Sequence, residues 1–331
     1  MMRVGFVGLG LIGARRLQIA REMGCEIAFA IDPDTSRREL LGLNDNLFLT
    51  DFFDLAAANI GNLDAIFVAV PHDLALPVCD RAFSLGAHVL CEKPMGLSHS
   101  QALKIEALAK AANRKFGAGF NKRFLPGVSA LKKLVDDGAF GKFHRMRIAM
   151  AHGGRPGMEK EWKLKRSRAG GGALIDPGIH LIDLTRYIFS DAIVEGYQLS
   201  RRFWDVDVED NCTLRLRCGE ADVTIEVSLT SWKNVFEIEV LGSDGYAKVV
   251  GQGGNYGEQT IEYANRWFWN GDDRRLEKSF GLKDQSFDLE TKAFLNWASG
   301  GALGPSLSTA KDGIEALSIV DQFYLGVHTS T

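Results

Sequence analysis

No stretch of this chain approaches the roughly 20 consecutive apolar residues that a membrane helix needs, so no spanning helix is expected. Cysteine is sparse and odd in number: Cys25, Cys79, Cys91, Cys212 and Cys218. No two are spaced C-x-x-C and most lie in apolar runs. The expectation is reduced, mostly buried thiols in a cytoplasmic protein, with no bound metal and no disulfide framework. Excess charge is also missing. The net charge of −3 supplies no basic field for nucleic acid. Internal repeats and low-complexity segments are absent. Val4 to Ile12 is apolar enough to be mistaken for a leader, but it carries turn glycines and runs into Arg15-Arg16. What is present is an ordinary globular composition, 46% apolar and 24% charged, in a chain of 331 residues, long enough for two domains.

The first 32 residues organise the rest. Arg3 to Val7 is a short apolar run. Gly8-Leu9-Gly10-Leu11-Ile12-Gly13 follows, then a helix-prone segment and a second apolar run, Glu26 to Ile31, ending at Asp32. This is strand, glycine turn, helix, strand, acid. In G-x-G-x-x-G the first glycine permits the turn, the second lets backbone approach a pyrophosphate, and the third lets the helix lie close on the strand. Amides at the helix start, around Leu11 and Ile12, then face the anion. Asp32 stands 24 residues after Gly8, slightly beyond the usual distance of about 20. A carboxylate there accepts from ribose hydroxyls and repels a 2′-phosphate, which favours NAD over NADP. Ser36-Arg37-Arg38 is either a phosphate-holding pair or a solvated helix start.

Phe48 to Thr50 reads as a short strand and Asp51 to Asn59 as a helix. Ala65 to Val70 is a continuous apolar run, the pattern of a parallel strand buried on both faces. Pro71-His72 ends it, which puts His72 either at the cofactor edge of the sheet or in a plain loop. A helix over Leu76–Leu85 and a strand over His88–Cys91 follow, then Glu92-Lys93-Pro94. Lys93 either projects into the crevice above the sheet, where its ammonium can donate to a substrate oxygen, or pairs at the surface with Glu92. Ser98 and Gln101 form a capping box for a helix reaching about Asn113, and Phe116 to Phe120 is the last strand of an α/β unit with a doubly wound sheet.

Beyond residue 119 the pattern changes to α+β. A helix over Leu125–Asp137 stops at Gly138. Alternating apolar positions at Leu214, Leu216 and Cys218, at Val223, Ile225, Val227 and Leu229, and at Phe236, Ile238 and Val240 predict a large, mainly antiparallel sheet with one apolar face. Gly251 to Gly257 reads as a hairpin connection. In Gly170-Gly171-Gly172-Ala173-Leu174-Ile175-Asp176-Pro177-Gly178-Ile179-His180, Asp176 suits an N-cap and Pro177 a first helical residue. Asp176 and His180 then lie on one helical face, with Asp183 three residues on. Carboxylate with imidazole is an arrangement for moving protons near neutral pH. It is equally a cap and a satisfied histidine. One histidine with two carboxylates is not a specific zinc pattern. Glu159 to Arg168, with Trp162, Lys163 and four further cationic residues, is either a cover for an anionic ligand or a solvated loop.

Together these residues resemble the glucose–fructose oxidoreductase / inositol dehydrogenase / MocA family over nearly the whole chain. The resemblance rests on Gly8-x-Gly10-x-x-Gly13, Glu92-Lys93-Pro94, Gly119-Phe120-Asn121-Lys122-Arg123-Phe124, and Asp176-x-Gly178-x-His180 with Asp183. It implies a Rossmann cofactor domain over 1–119 and a substrate and oligomerisation domain over 120–331, with a helix at 311–324 that packs back on the first. It implies hydride transfer between nicotinamide and a sugar, polyol or nucleotide-sugar carbon. The implied catalytic residues are Lys93, Asp176 and His180. Cofactor contacts fall on the glycine turn, Asp32, Arg37, Pro71, His72, Glu92 and Lys93, and substrate contacts on Lys93, Asn121, Trp162, Lys163, Asp176 and His180. A cis Lys93–Pro94 peptide and a homodimer or homotetramer are implied too. His72 and Ala75 stand where the family commonly has Asn and His. Relatives also include enzymes that retain NAD for net hydrolysis or isomerisation, and a non-catalytic regulator.

Overall fold

A computed structural model describes residues 1–53, 61–265 and 275–328. Packing divides the chain into two compact units, Met1–Phe120 with Phe287–Ser318, and Asn121–Ser286 with Ile319–Thr331. The first crossing falls between Phe120 and Asn121, one residue beyond the 119/120 boundary expected from sequence. Phe287–Ser318 returns to the first unit; this includes the first part of the helix expected at 311–324 to pack back there, while the return of Phe287 to Ala310 is not expected from sequence.

The first unit holds a six-stranded parallel sheet: β1 Arg3–Val7, β2 Glu26–Ile31, β3 Phe48–Leu49, β4 Ala65–Val68, β5 His88–Glu92 and β6 Phe116–Gly119, in the order β3-β2-β1-β4-β5-β6. Strand order reverses between β1 and β4, the place where open α/β sheets form a ligand crevice at their carboxyl ends. Helices α1 Leu11–Glu22, α2 Ser36–Leu40, α3 Ala75–Ser84 and α4 His99–Ala111 connect the strands. All four residues of β4 are buried. The strand stops at Val68, two residues short of its apolar run, because the chain turns into Pro71. Phe67 stacks on Phe6 with ring centroids 4.9 Å apart and meets Phe294 edge-on at 5.7 Å. Each fully buried aromatic of this kind contributes about 1.5–3 kcal/mol. The helix expected over Asp51–Asn59 lies mostly outside the described residues. In the Ser98 capping box, Ser98 Oγ accepts from the Gln101 amide, but Gln101 Oε1 reaches back to the Leu97 amide, one residue further than the motif requires.

The second unit holds an eight-stranded sheet: β7 Phe143–Ala151, β8 Ile193–Ser200, β9 Asn211–Cys218, β10 Ala221–Ser228, β11 Val235–Gly242, β12 Gly245–Val250, β13 Thr260–Asn265 and β14 Arg275–Ser279. The order is β14-β13-β12-β11-β7-β10-β9-β8. Every pairing is antiparallel except β7 with β10, which is parallel. Strand β7 is therefore set between two runs of sequence-adjacent hairpins. Its alternation, Met146, Ile148 and Met150 inward and Arg145 and Arg147 outward, is the same signal as in β10. Helices α5 Pro126–Asp136 and α7 Ile179–Phe189 pack on the sheet's apolar face, α5 on β12 and β13, α7 on β7 and β10. The other face carries cross-strand ion pairs, Arg147 to Glu226 at 2.6 Å and Arg145 to Glu239 at 3.0 Å. A short helix, α6 Arg166–Ala169, precedes α7, and α8 Ser286–Ala298 and α9 Ala310–His328 complete the fold. No helix among the described residues is long and apolar enough to cross a membrane. All five cysteines are free thiols and four are buried.

Candidate functional site

In the first unit the glycine turn is fixed by three close approaches. Gly8 has φ +87°, and a Cβ there would stand 2.3 Å from the Ala69 carbonyl oxygen. A Cβ on Gly13 would stand 1.8 Å from the Gly8 carbonyl oxygen, so only glycine lets α1 lie this near β1. Asp32 Oδ2 accepts from the Leu9 amide at 2.6 Å and Oδ1 from the Asp34 amide at 2.9 Å, which ties the end of β2 to the turn. At Gly10, by contrast, a Cβ would meet nothing within 4 Å. Helix α1 starts there with no side-chain cap and no acidic residue in its first turn. Open space in front of uncapped helix amides is what a pyrophosphate requires. These residues fit a dinucleotide.

Arg37 pairs with Asp34 at 3.3 Å, and Arg38 pairs with Asp45, so both arginines are engaged by carboxylates of their own loop. Pro71 and the buried His72 follow β4 in a short turn at the carboxyl edge of the sheet. Glu92 ends the adjacent strand β5, and half-buried Lys93 follows it and is joined to Pro94 by a cis peptide bond.

Glu92 does not face solvent. Its Oε1 accepts from Arg16 Nε at 2.6 Å. Arg16, 1% exposed on α1, also donates from Nη2 to Glu290 at 2.5 Å and from Nη1 to Thr291 Oγ1 at 3.1 Å. Burial opposes the charge on Arg16, but the two carboxylates outweigh it and hold the guanidinium protonated. Sequence reasoning passed over Arg16. The signal was there: Gly13, Arg16, Leu17 and Ala20 share the inward face of α1, and an arginine on such a face demands a buried partner.

In the second unit Asp176 is not an N-cap. A π-turn over Leu174–Gly178 runs straight into α7, and Asp176 lies inside it, its amide donating to the Gly172 carbonyl. The cap comes from elsewhere. Glu209 Oε1 accepts from the Gly172 and Leu174 amides, both at 3.0 Å, and from the Tyr324 hydroxyl at 2.8 Å. A Cβ on Gly171 would stand 1.8 Å from that hydroxyl, and one on Gly172 would stand 2.0 Å from the Glu209 carbonyl oxygen. The glycines thus let the turn close on Glu209. Nothing local to residues 170–180 signals a cap so distant in sequence.

Released from capping, Asp176 receives Lys163 Nζ on its Oδ2 at 3.3 Å. It is the one residue from Gly171 to Thr185 that is not buried. His180, one helical turn on, is 7% exposed. Asp183 gives both oxygens to Arg123, Oδ2 to Nε at 2.9 Å and Oδ1 to Nη2 at 2.5 Å, which anchors the helix that carries His180. Lys122 bonds Gln252, and Asn121 Nδ2 donates to Ser286 Oγ at 2.7 Å. The Asn121-Lys122-Arg123 motif is therefore a buried set of tethers. The segment Glu159–Arg168 is a series of short helical turns rather than an open loop, with Lys163 Nζ 5.9 Å above the Trp162 ring.

Two residues near Asp176 escaped the sequence reading. His152 comes directly after β7, and its Nδ1 accepts from the Gly154 amide at 3.1 Å. Burial lowers its pKa, with the Asp176 charge opposing and Lys163 and Arg155 assisting. Tyr256 is pushed up to about 12, first by burial and then by Asp176. Among the described residues no group of three histidine, cysteine or acidic side chains is placed to hold a metal ion.

Known proteins agree with both halves of this arrangement. Residues 2–120 match the family model described as oxidoreductase family, NAD-binding Rossmann fold, and residues 128–248 match the GFO/IDH/MocA C-terminal domain. Myo-inositol 2-dehydrogenase of Thermotoga maritima is 29% identical over 201 residues, 59% of this chain and 57% of that protein. The chain thus aligns with little over half the length of that relative. Myo-inositol dehydrogenase Hyg17 of Streptomyces leeuwenhoekii is 25% identical over 96% of this chain and 94% of its own. Among solved structures, levoglucosan dehydrogenase in complex with NADH and levoglucosan superimposes with a TM-score of 0.85 at 20% identity, covering 100% of this chain and 98% of the other. The WlbA dehydrogenase of Bordetella pertussis with NADH and UDP-GlcNAcA gives 0.81 at 18% identity, covering 100% and 96%. A glycine turn pinned by Asp32, a Glu92-Lys93-Pro94 strand end and an Asp176–His180 helix, matched by both family models in order, make this chain a member of the GFO/IDH/MocA oxidoreductase family.

Proposed function

We propose that the protein is an NAD-dependent dehydrogenase that moves hydride between nicotinamide and a hydroxyl-bearing carbon of a sugar, polyol or nucleotide-sugar. The observation that carries this reading is the place of Lys93. It follows β5 at the carboxyl edge of a parallel sheet whose first turn is shaped for a pyrophosphate. The substrate class comes from relatives and structural neighbours named for inositol, levoglucosan and UDP-GlcNAcA. The Asp32 carboxylate, with both nearby arginines already paired, favours NAD over NADP.

NAD, when bound, supplies the hydride acceptor. Leu11 and Ile12 amides, with Gly10, would hold its pyrophosphate and Asp32 its adenosine ribose, with Pro71, His72 and Glu92 at the same edge of the sheet. The Lys93 ammonium donates to the reacting oxygen and steadies charge as it develops there. His180 takes the hydroxyl proton on its imidazole, or returns it in the reverse direction. Asp176, salt-bridged to Lys163, polarises that proton path, and Trp162 and Lys163 border the substrate. Phosphate-bearing substrates suit the cationic turn carrying Lys163. A cytoplasmic homodimer or homotetramer completes the reading.

The test is turnover with NAD across a panel of inositols, aldoses and nucleotide-sugars, with Lys93→Met and His180→Asn beside the native enzyme. Each variant should lose roughly 100- to 1000-fold in kcat, the equivalent of about 3–4 kcal/mol, while NAD affinity is retained. Unchanged kcat in either variant removes that residue from the chemistry. Product formed without accumulation of reduced cofactor would instead place the protein with enzymes that use transient oxidation.

A further inference from the structure

We propose that Arg16 is a positioning residue for Lys93: its guanidinium ties the Glu92 end of β5 to the helix that opens the dinucleotide site, and so fixes where the next residue, Lys93, stands. All the elements involved belong to the first unit. Arg16 lies one helical turn after Ile12 on α1, and Glu92 is joined to Lys93 by a single peptide bond. The Arg16–Glu92 contact at 2.6 Å and the Arg16–Glu290 contact at 2.5 Å lie on different nitrogens of one planar fork, and Thr291 fills a third direction. Such a fork dictates orientation as well as distance. The guanidinium is therefore locked on the α8 side by Glu290 and Thr291, and it presents a fixed donor to Glu92. Phe287 closes the cluster, its ring centroid 5.0 Å from Arg16 Cζ.

The neighbouring strand is shaped for the same purpose. A Cβ on Gly119 would stand 3.0 Å from Glu92 Oε2 and 3.1 Å from the Glu92 Cα. Gly119 thus leaves room for the Glu92 carboxylate beside the end of β6. The cluster holds two carboxylates and one guanidinium, all at most 15% exposed in their side chains, so little water can replace a lost contact. A side chain that only stabilised the unit could be apolar at this position. The cluster instead spans the helix that begins at the glycine turn and the strand end that leads into Lys93.

The test compares Arg16→Lys, which keeps the charge and loses the fork, with Phe294→Leu, which loosens the core of the same unit beside Phe67. Three quantities are read on folded protein: the rate at which trinitrobenzenesulfonate labels Lys93, resolved by peptide mass spectrometry; kcat and KM for the best substrate; and the NAD dissociation constant by fluorescence. Arg16→Lys should label faster at Lys93 by about threefold or more with the other lysines unchanged, and lose about 10- to 100-fold in kcat, as small misplacements of a reacting group do. Its NAD affinity should hold. Phe294→Leu should lower the melting temperature and leave labelling and kcat alone. Arg16→Lys behaving like Phe294→Leu overturns the proposal, as does a loss of NAD affinity in step with kcat. If Arg16→Lys does not fold, Glu290→Gln, which leaves Glu92 in place and loosens the α8 side of the same guanidinium, is read in the same way. The kinetic arm rests on the dehydrogenase reading and the labelling arm does not. A native enzyme silent on the whole panel would defeat that reading, while the labelling still decides on Arg16.

Discussion

Replacing Glu209 by alanine tests the most economical device in the second unit. One carboxylate oxygen accepts from the Gly172 amide, the Leu174 amide and the Tyr324 hydroxyl at 3.0, 3.0 and 2.8 Å. A lost N-cap alone costs about 0.5–2 kcal/mol. Here two buried amides and a hydroxyl lose their acceptor together, each such loss costing about 1–3 kcal/mol. Partial rehydration through the vacated side-chain volume reduces the total, and we expect Glu209→Ala to destabilise the protein by about 3–4 kcal/mol. Glu209→Gln keeps an acceptor and should cost about 1 kcal/mol. Tyr324→Phe removes one donor and should cost about as much. The assay is urea unfolding followed by both fluorescence and circular dichroism, with the Glu209→Gln/Tyr324→Phe double variant closing a cycle. Because the two side chains share a bond, the double variant should fall short of additivity by at least about 0.5 kcal/mol. Full additivity, or a Glu209→Ala loss under about 1 kcal/mol, would refute the claim that this carboxylate caps the turn before α7.

Three further outcomes follow from the geometry. Gly13→Ala places a methyl 1.8 Å from the Gly8 carbonyl oxygen. It should abolish measurable NAD binding by calorimetry while far-ultraviolet circular dichroism stays near native. Asp32→Ala removes the carboxylate that accepts from Leu9 and Asp34; the ratio of NAD to NADP affinity should fall by about tenfold or more, in keeping with a carboxylate that accepts from the ribose hydroxyls and excludes a 2′-phosphate, and an unchanged ratio would deny it that role. His152, half-buried and lowered in pKa, binds fewer protons in the folded state than in the unfolded chain. Its contribution to stability is therefore complete above about pH 6.5 and is lost as pH falls toward the lowered value. His152→Gln should flatten that part of the stability profile measured by urea titration.

The sequence disclosed those features whose cause is local. G-x-G-x-x-G, the apolar run of β4 and the alternation of β10 each rest on neighbours a few residues away, and all three are where they were expected. The errors share the opposite property. Asp176 had the right residue type for a cap, and Pro177 strengthened the case, yet Glu209 does the capping from the far side of β8. Arg123 claims Asp183 for the same reason. Pairing of polar groups across the fold leaves no periodicity to read, so a residue can be identified as chemically important while its partner is assigned wrongly. Arg16 shows the one partial remedy, since a charge on an inward helical face announces that a partner exists without naming it. Strand β7 was missed for a different reason. Its arginines, outward on a charged sheet face, diluted an alternation that is otherwise as regular as that of β10.

The position of β7 also bears on the order in which the second unit assembles. Strands β8 to β10 on one side and β11 to β14 on the other are joined to their neighbours in sequence, so both groups can zip from their own turns. Strand β7 has no such start. It must find β10 in parallel and β11 in antiparallel register at once, pairing Arg145 with Asp222 and with Leu241. Loop closure over that separation has to precede any return in contacts. Amide protection in pulse-labelled refolding should therefore reach the β9–β10 and β11–β12 hairpins first and β7 last. The slow step would then be the insertion of a central strand into a gap between two preformed edges. Until it inserts, both of those edges are exposed to other chains, which makes this interval the one in which refolding yield should depend most on protein concentration.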